Sequence, residues 1–180
     1  MRLRVHTIIR AQAVRAPQVD GLVLQFQDAA GARFDCGVIE ATLTLLRASA
    51  KLQNKISEDM ARYGLSMPRF DVLMLLKHAP AQRLALSEIG EHLRVSPANV
   101  TKLVDALERD ALVARTPHQS DRRITLAELT DHGLGVLEEF IPRHCELLTS
   151  VWQDFPPPLR GEFVQFMNRL IASLERAGRQ

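Results

Sequence analysis

The side chains best suited to chemistry lie between Ser87 and Arg123, and the chemistry they suit is hydrogen bonding and charge rather than bond making. Asn99, Thr101 and Lys102 follow the small pair Pro97-Ala98. That order lets a backbone approach closely while an amide, a hydroxyl and an ammonium reach the base edges of a major groove. Asn pairs bidentately with adenine, and Lys reaches guanine or a phosphate. A solvated helix face has the same composition, so the surroundings must decide. Ser87 and Ser96 suit backbone phosphates near helix N-termini, and Ser96 equally suits a purely capping role. Arg123 suits a narrow minor groove, whose negative potential attracts guanidinium groups, and Arg115 and Arg122 suit phosphate.

No catalytic set competes with this one, so the chain is not expected to be an enzyme. The six histidines (His6, His78, His92, His118, His132 and His144) lack a paired spacing such as HxxxH, and neither a metal nor a cofactor is expected. His144-Cys145 is a weak metal or thiolate pair. Two cysteines, Cys36 and Cys145, give no disulfide framework, as expected of a reducing cytosol.

The surroundings of the candidate residues are informative. Leu86 to Leu93 reads as a short helix, Arg94-Val95 as a tight turn, and Ser96-Pro97 as the capped start of a second helix. Val100, Leu103, Val104 and Leu107 then fall at i, i+3, i+4 and i+7, one buried stripe. Asn99, Thr101 and Lys102 belong to the opposite side. Two short helices joined by a short turn make a helix-turn-helix. Leu112–Arg115 and Arg123–Leu126 read as a hairpin with its loop at Thr116–Arg122, which makes the helix-turn-helix winged.

This spacing, with Asp121-Arg122-Arg123 followed by Leu129-Thr130, resembles the MarR family of bacterial transcription regulators over roughly Val38 to Leu174. Three departures stand out. Arg94 and Ala111 occupy positions where the family often has glycine, so a left-handed non-glycine backbone is expected near each, and Gly90 replaces a usual alanine between the two helices. The resemblance implies a homodimer joined through its terminal helices, bound to double-stranded DNA at a palindromic operator, most simply as a repressor. It implies a small aromatic or phenolic anion as effector, with residues 56–76, including Met60, Met67, Arg69 and Asp71, as candidate cleft lining beside the plainer reading of core methionines. It also implies that Asp121 pairs with an arginine to fix the wing. Peroxide-sensing relatives suggest an alternative, a redox regulator using Cys36, although Tyr63 is the chain's one tyrosine. A winged-helix scaffold without operator binding is the other alternative.

Composition bounds the rest. A chain of 180 residues with 46% hydrophobic and 24% charged residues suits an ordinary soluble, cytoplasmic protein, and no apolar run approaches the ~20 residues of a membrane span. Net charge is only +2, and residues 86–130 carry six basic residues against seven acids. Nucleic-acid binding therefore depends on where the charges point.

The fold class expected is mainly α: a winged helix-turn-helix with a small β-hairpin wing and long terminal dimerisation helices. Residues 1–35 are expected to be an N-terminal extension, 36–65 and 131–180 the helical dimerisation region, and 66–130 the DNA-binding domain. The extension opens with Arg2, Arg4, Arg10 and Arg15 and no acid as far as Ala16, and suits a flexible or partner-docked arm first and a DNA-touching arm second; Gly21–Phe26 suits a short strand. A long helix is expected from Val38 to Arg62, closed at Gly64. Another is expected from Thr130 to about Trp152, with a kink or lost backbone bonding at Pro142. The run Asp154 to Pro158 breaks the chain before a last helix carrying Leu159, Phe163, Phe166, Leu170 and Leu174.

Overall fold

The computed structural model describes residues 35–118, 120, 121 and 123–178, with the backbone alone at Cys36. The extension, including the strand expected at Gly21–Phe26, lies outside the described residues. The chain divides into two units, residues 1–58 and 59–180. Apart from Asp35, the described part of the first unit belongs to helix α1 (Cys36–Ala61), which starts two residues before the expected Val38.

The second unit begins in the last turn of α1 and continues through Gly64, whose φ of 64° needs glycine. Helix α2 (Met67–His78) follows, and a 3-10 turn (Pro80–Gln82) leads into β1 (Arg83–Ala85). Then come α3 (Leu86–Leu93), α4 (Pro97–Arg109), β2 (Val113–Pro117), β3 (Thr125–Leu129), α5 (Asp131–Val151) and α6 (Pro157–Ala177). The described chain is thus mainly α, with one small antiparallel sheet.

The sheet has three strands rather than the two of the expected hairpin. Its order is β1-β3-β2, with Leu84 opposite Ala127 on one side of β3 and Arg115 opposite Ala127 on the other. Both hairpin strands also lie a little later than expected, so the loop runs from His118 to Ile124. Pro117 is tolerated because β2 is an edge strand and Pro117 is its last residue.

The core of this unit is built from the expected stripes. Val100, Val104 and Leu107 of α4 are buried beside Ile89 of α3, Val72, Leu73 and Leu76 of α2, and Leu137 and Phe140 of α5. Leu103 is half-buried at the edge of its stripe. Phe140 is fully enclosed, with the rings of Tyr63 and Phe70 meeting it edge-on at 5.3 and 5.4 Å.

Helix α5 runs unbroken through Pro142, which supplies no N–H for the carbonyl four residues earlier but does not end the helix. Its start is tightly specified. The Thr130 hydroxyl accepts the Gly133 N–H at 2.9 Å and donates to the Ala111 carbonyl at 2.7 Å, while the Leu112 carbonyl accepts from the Thr130 backbone at 3.2 Å. A Cβ on Gly133 would stand 2.2 Å from that Leu112 carbonyl, so no other residue fits.

Helix α6 buries nothing. Phe163, Val164, Phe166, Leu170, Ile171 and Leu174 are all exposed in the single chain.

Candidate nucleic-acid interface

Helix α4 is placed by its two ends and by its contact with α3. At its start the Ser96 hydroxyl accepts the Asn99 N–H at 3.4 Å, and Pro97 occupies the first helical position. Arg94, which caps α3 and opens the turn, has φ 55°, and the chain reverses there without glycine. Ala111, after the other end of α4, has φ 56°. Both left-handed positions are where glycine's absence pointed. Gly90 lets the helices close up: a Cβ there would lie 3.2 Å from Val100 Cγ2.

The consequence is a helix with one face in the core and one in solvent. Ala98, Asn99, Thr101 and Lys102 are all exposed across its first turns, together with Ser96 and Pro97. Thr101 turns its hydroxyl to the Pro97 carbonyl at 3.0 Å, which leaves its methyl and one acceptor outward. Ser87 is exposed in the first turn of α3. That turn is closed by Glu88, whose carboxylate accepts the Ala85 N–H at 2.8 Å.

In the wing, Asp121 accepts the backbone N–H of Arg123 at 2.9 Å and, through its own carbonyl, that of Ile124 at 3.0 Å. The bond is to the main chain of residue 123, as in an ordinary turn aspartate, and it shapes the turn that carries Arg123. The Arg123 side chain is exposed. Arg122 lies outside the described residues. His118 anchors the near side of the loop, its Nδ1 3.1 Å from the Ser120 hydroxyl and its N–H donating to the Ile124 carbonyl at 3.0 Å.

Arg115, placed among the phosphate contacts on sequence grounds, has its guanidinium on α4. Nη2 reaches Asp105 at 2.6 Å and Nη1 reaches Glu108 at 2.7 Å, and Nη2 also donates to the Thr101 carbonyl at 3.4 Å. A second pair, Arg69 with Asp110, ties α2 to the residue that caps α4. The hydrogen bond from Arg69 is the main reason the Asp110 carboxyl titrates below the ordinary carboxylate range. Asp105, Glu108 and Asp110 are therefore occupied by arginines from the elements beside α4. No sequence rule pairs residues that far apart, so this arrangement has no signature in the chain's local pattern.

The same unit holds a cavity of about 710 Å³ whose lining includes Phe70, Asp71, Met74, Leu84, His92 and Leu93. Its size is that of a small-molecule site. Of the stretch 56–76 read from sequence as cleft lining, Phe70, Asp71, Met74 and Leu75 line it, and burial pushes the Asp71 carboxyl above its ordinary range. Met60 is buried in the core, Met67 is exposed, and Arg69 is engaged by Asp110.

The remaining candidates divide. His144 meets Asp59 at 2.8 Å and stacks on Phe140 at 4.8 Å, with Cys145 exposed beside it. No cluster of metal-ligating side chains occurs among the described residues, and none of their helices is long and apolar enough to cross a membrane. Cys36 is the first residue of α1, and its side chain lies outside what is described.

Residues 65–125 match the sequence profile of the MarR family. The transcriptional repressor YetL of Bacillus subtilis is 34% identical over 143 residues, 79% of this chain and 86% of YetL. Among solved structures, YusO of Bacillus subtilis is 28% identical with a TM-score of 0.62, covering 74% of this chain and 93% of its own. Sco3205, a MarR family regulator of Streptomyces coelicolor solved in complex with DNA, shares the fold at 23% identity and a TM-score of 0.63, over 74% and 88% of the two chains. Sequence profile, relative and architecture agree, and they match the helix-turn-helix and wing derived above: the chain belongs to the MarR family of DNA-binding transcriptional regulators, not to a family of enzymes.

Proposed function

We propose that this regulator is a homodimeric, ligand-responsive repressor of a palindromic operator, with α4 in the major groove and the wing at the flanking minor groove. The observation that carries the reading is the exposed start of α4. Asn99, Thr101 and Lys102 stand free of the core on a helix whose other face buries Val100, Val104 and Leu107. Asn99 and Lys102 are assigned to base edges and Thr101 to a base or phosphate. Ser87 and Ser96 are assigned to phosphates at helix N-termini, Arg122 to phosphate, and Arg123 to the minor groove, with Asp121 shaping its turn.

Two-fold symmetry would set the two copies of α4 about one DNA turn apart, ~34 Å, which requires an inverted repeat. The apolar stripe on α6, uncovered in one chain, supports a second copy as its partner. The repressor YetL supplies the analogy for the sign of regulation. The cavity beside Asp71 supports an aromatic effector: such a ligand shifts DNA affinity by binding one conformation better than the other.

The test uses a duplex enriched from a random-sequence pool by the full chain, and a shuffled duplex of equal composition. Asn99→Ala should cost ~1–3 kcal/mol and relax preference at one position per half-site. Arg123→Ala should weaken binding to both duplexes and reduce the salt slope by about one unit. If both variants bind like the wild type, the interface has been placed on the wrong face.

A further inference from the structure

We propose that Arg115 is a positioning residue for DNA recognition, acting through Asp105 and Glu108 to hold the wing at a fixed distance from α4, and that it does not contact phosphate. The inference rests on the DNA-binding reading above. Arg115 is in the middle of β2, opposite Ala127 of the central strand, so its backbone moves with the wing. Its guanidinium is on another element altogether. Two nitrogens meet two carboxylates one turn apart on α4, at 2.6 and 2.7 Å, and the Thr101 carbonyl takes a third bond at 3.4 Å. A guanidinium is planar and its donors form a rigid fork, so contacts in three directions fix orientation as well as distance.

Burial points the same way. The Arg115 side chain is 25% exposed, whereas Asp105 and Glu108 are 55% and 41% exposed. The arginine is the inner member of the cluster, roofed by its acids, and a phosphate would have to displace them to reach it. The cluster also bears on the charge balance of this segment, where acids outnumber basic residues. Asp105 and Glu108 lie on the helix that approaches DNA, and unpaired they would repel its backbone. Paired, they serve as the anchorage of the wing. Asn99 and Lys102 on α4 and Arg123 on the wing are then held in one frame, so a base contact and a minor-groove contact are made together or not at all.

The prediction separates cleanly from a phosphate contact because the partners carry opposite charge. Arg115→Gln removes a cation, and Asp105→Asn with Glu108→Gln removes two anions. If Arg115 positions, both variants lose discrimination between the enriched and shuffled duplexes, each by about tenfold. The salt slope of Arg115→Gln on the enriched duplex stays within about half a unit of the wild type's, since no counterion-releasing contact is lost. Arg115→Lys, which keeps the charge but not the fork, falls between.

Binding isotherms at several salt concentrations, with thermal unfolding of each full-length variant, provide the measurement. A salt slope reduced by about one unit with discrimination intact would show a phosphate contact and overturn the proposal. Wild-type discrimination in the Asp105→Asn/Glu108→Gln variant would overturn it equally. Should Arg115→Gln fail to fold, that double variant and Arg115→Lys decide the matter, and discrimination must still drop in both. If the wild-type chain enriches no duplex at all, the DNA reading itself fails, and this inference fails with it.

Discussion

The Arg69 guanidinium holds the Asp110 carboxylate, and in doing so fastens α2 to the C-terminal cap of the helix proposed to read DNA. The acid titrates low chiefly because of that hydrogen bond. A carboxyl whose folded value is depressed adds stability above its unfolded value, ~4, and loses it as pH falls through the folded value. Asp110→Asn should therefore lower the melting temperature at pH 7, with the deficit vanishing in acid. Melting curves between pH 2.5 and 7 provide the check, and a deficit of constant size across that range would contradict the pairing.

Asp71 should behave in the opposite sense. Burial raises its carboxyl, so the folded chain takes up a proton more readily than the unfolded chain, and the contribution of this group to stability falls as pH rises through the raised value. Asp71→Asn should melt higher than the wild type at pH 7 and alike at pH 3. The same series of melts tests it, and a lower melting temperature at pH 7 would mean that the charged form is stabilised by the cavity.

Gly133→Ala introduces a methyl where the backbone leaves no room. The clash is with the Leu112 carbonyl at 2.2 Å, and both groups belong to tightly bonded turns, so the first turn of α5 must shift. A loss of about 3 kcal/mol is expected from such overpacking. Urea unfolding of the purified variant measures it. A change below about 0.5 kcal/mol would show that the start of α5 is softer than its bonding suggests.

Much of this architecture was legible in the chain. Ser96-Pro97 and the Val100, Val104, Leu107 stripe announce α4 because capping and helical periodicity are local properties. Arg94 and Ala111 betrayed their left-handed backbones by standing where a glycine is usual. What failed was whatever depends on distant partners. Arg83-Leu84-Ala85 is too short to show an alternating pattern and becomes a strand only because β3 lies beside it. The hairpin strands slid by one to three residues because Thr116 and Pro117, read as loop, complete β2, and Arg123 and Ile124, read as strand, belong to the loop. Arg115 read as one more wing cation, since nothing in its neighbours says that its guanidinium would turn back onto α4. Nothing in the neighbours of Gly133 signals its necessity, which comes from a carbonyl 21 positions earlier in the chain.

The Thr130 hydroxyl bonds the carbonyl of Ala111 on one side and the first turn of α5 on the other. In mechanical terms it is a fulcrum at the end of a long arm. The 21 residues of α5 reach about 30 Å from it, so a tilt of about 5° at Thr130 swings the far end through about 3 Å. With Leu137 and Phe140 of the same helix fixed in the core, the arm is pinned near its start. One hydroxyl therefore sets where the long helix departs from the turn that follows α4.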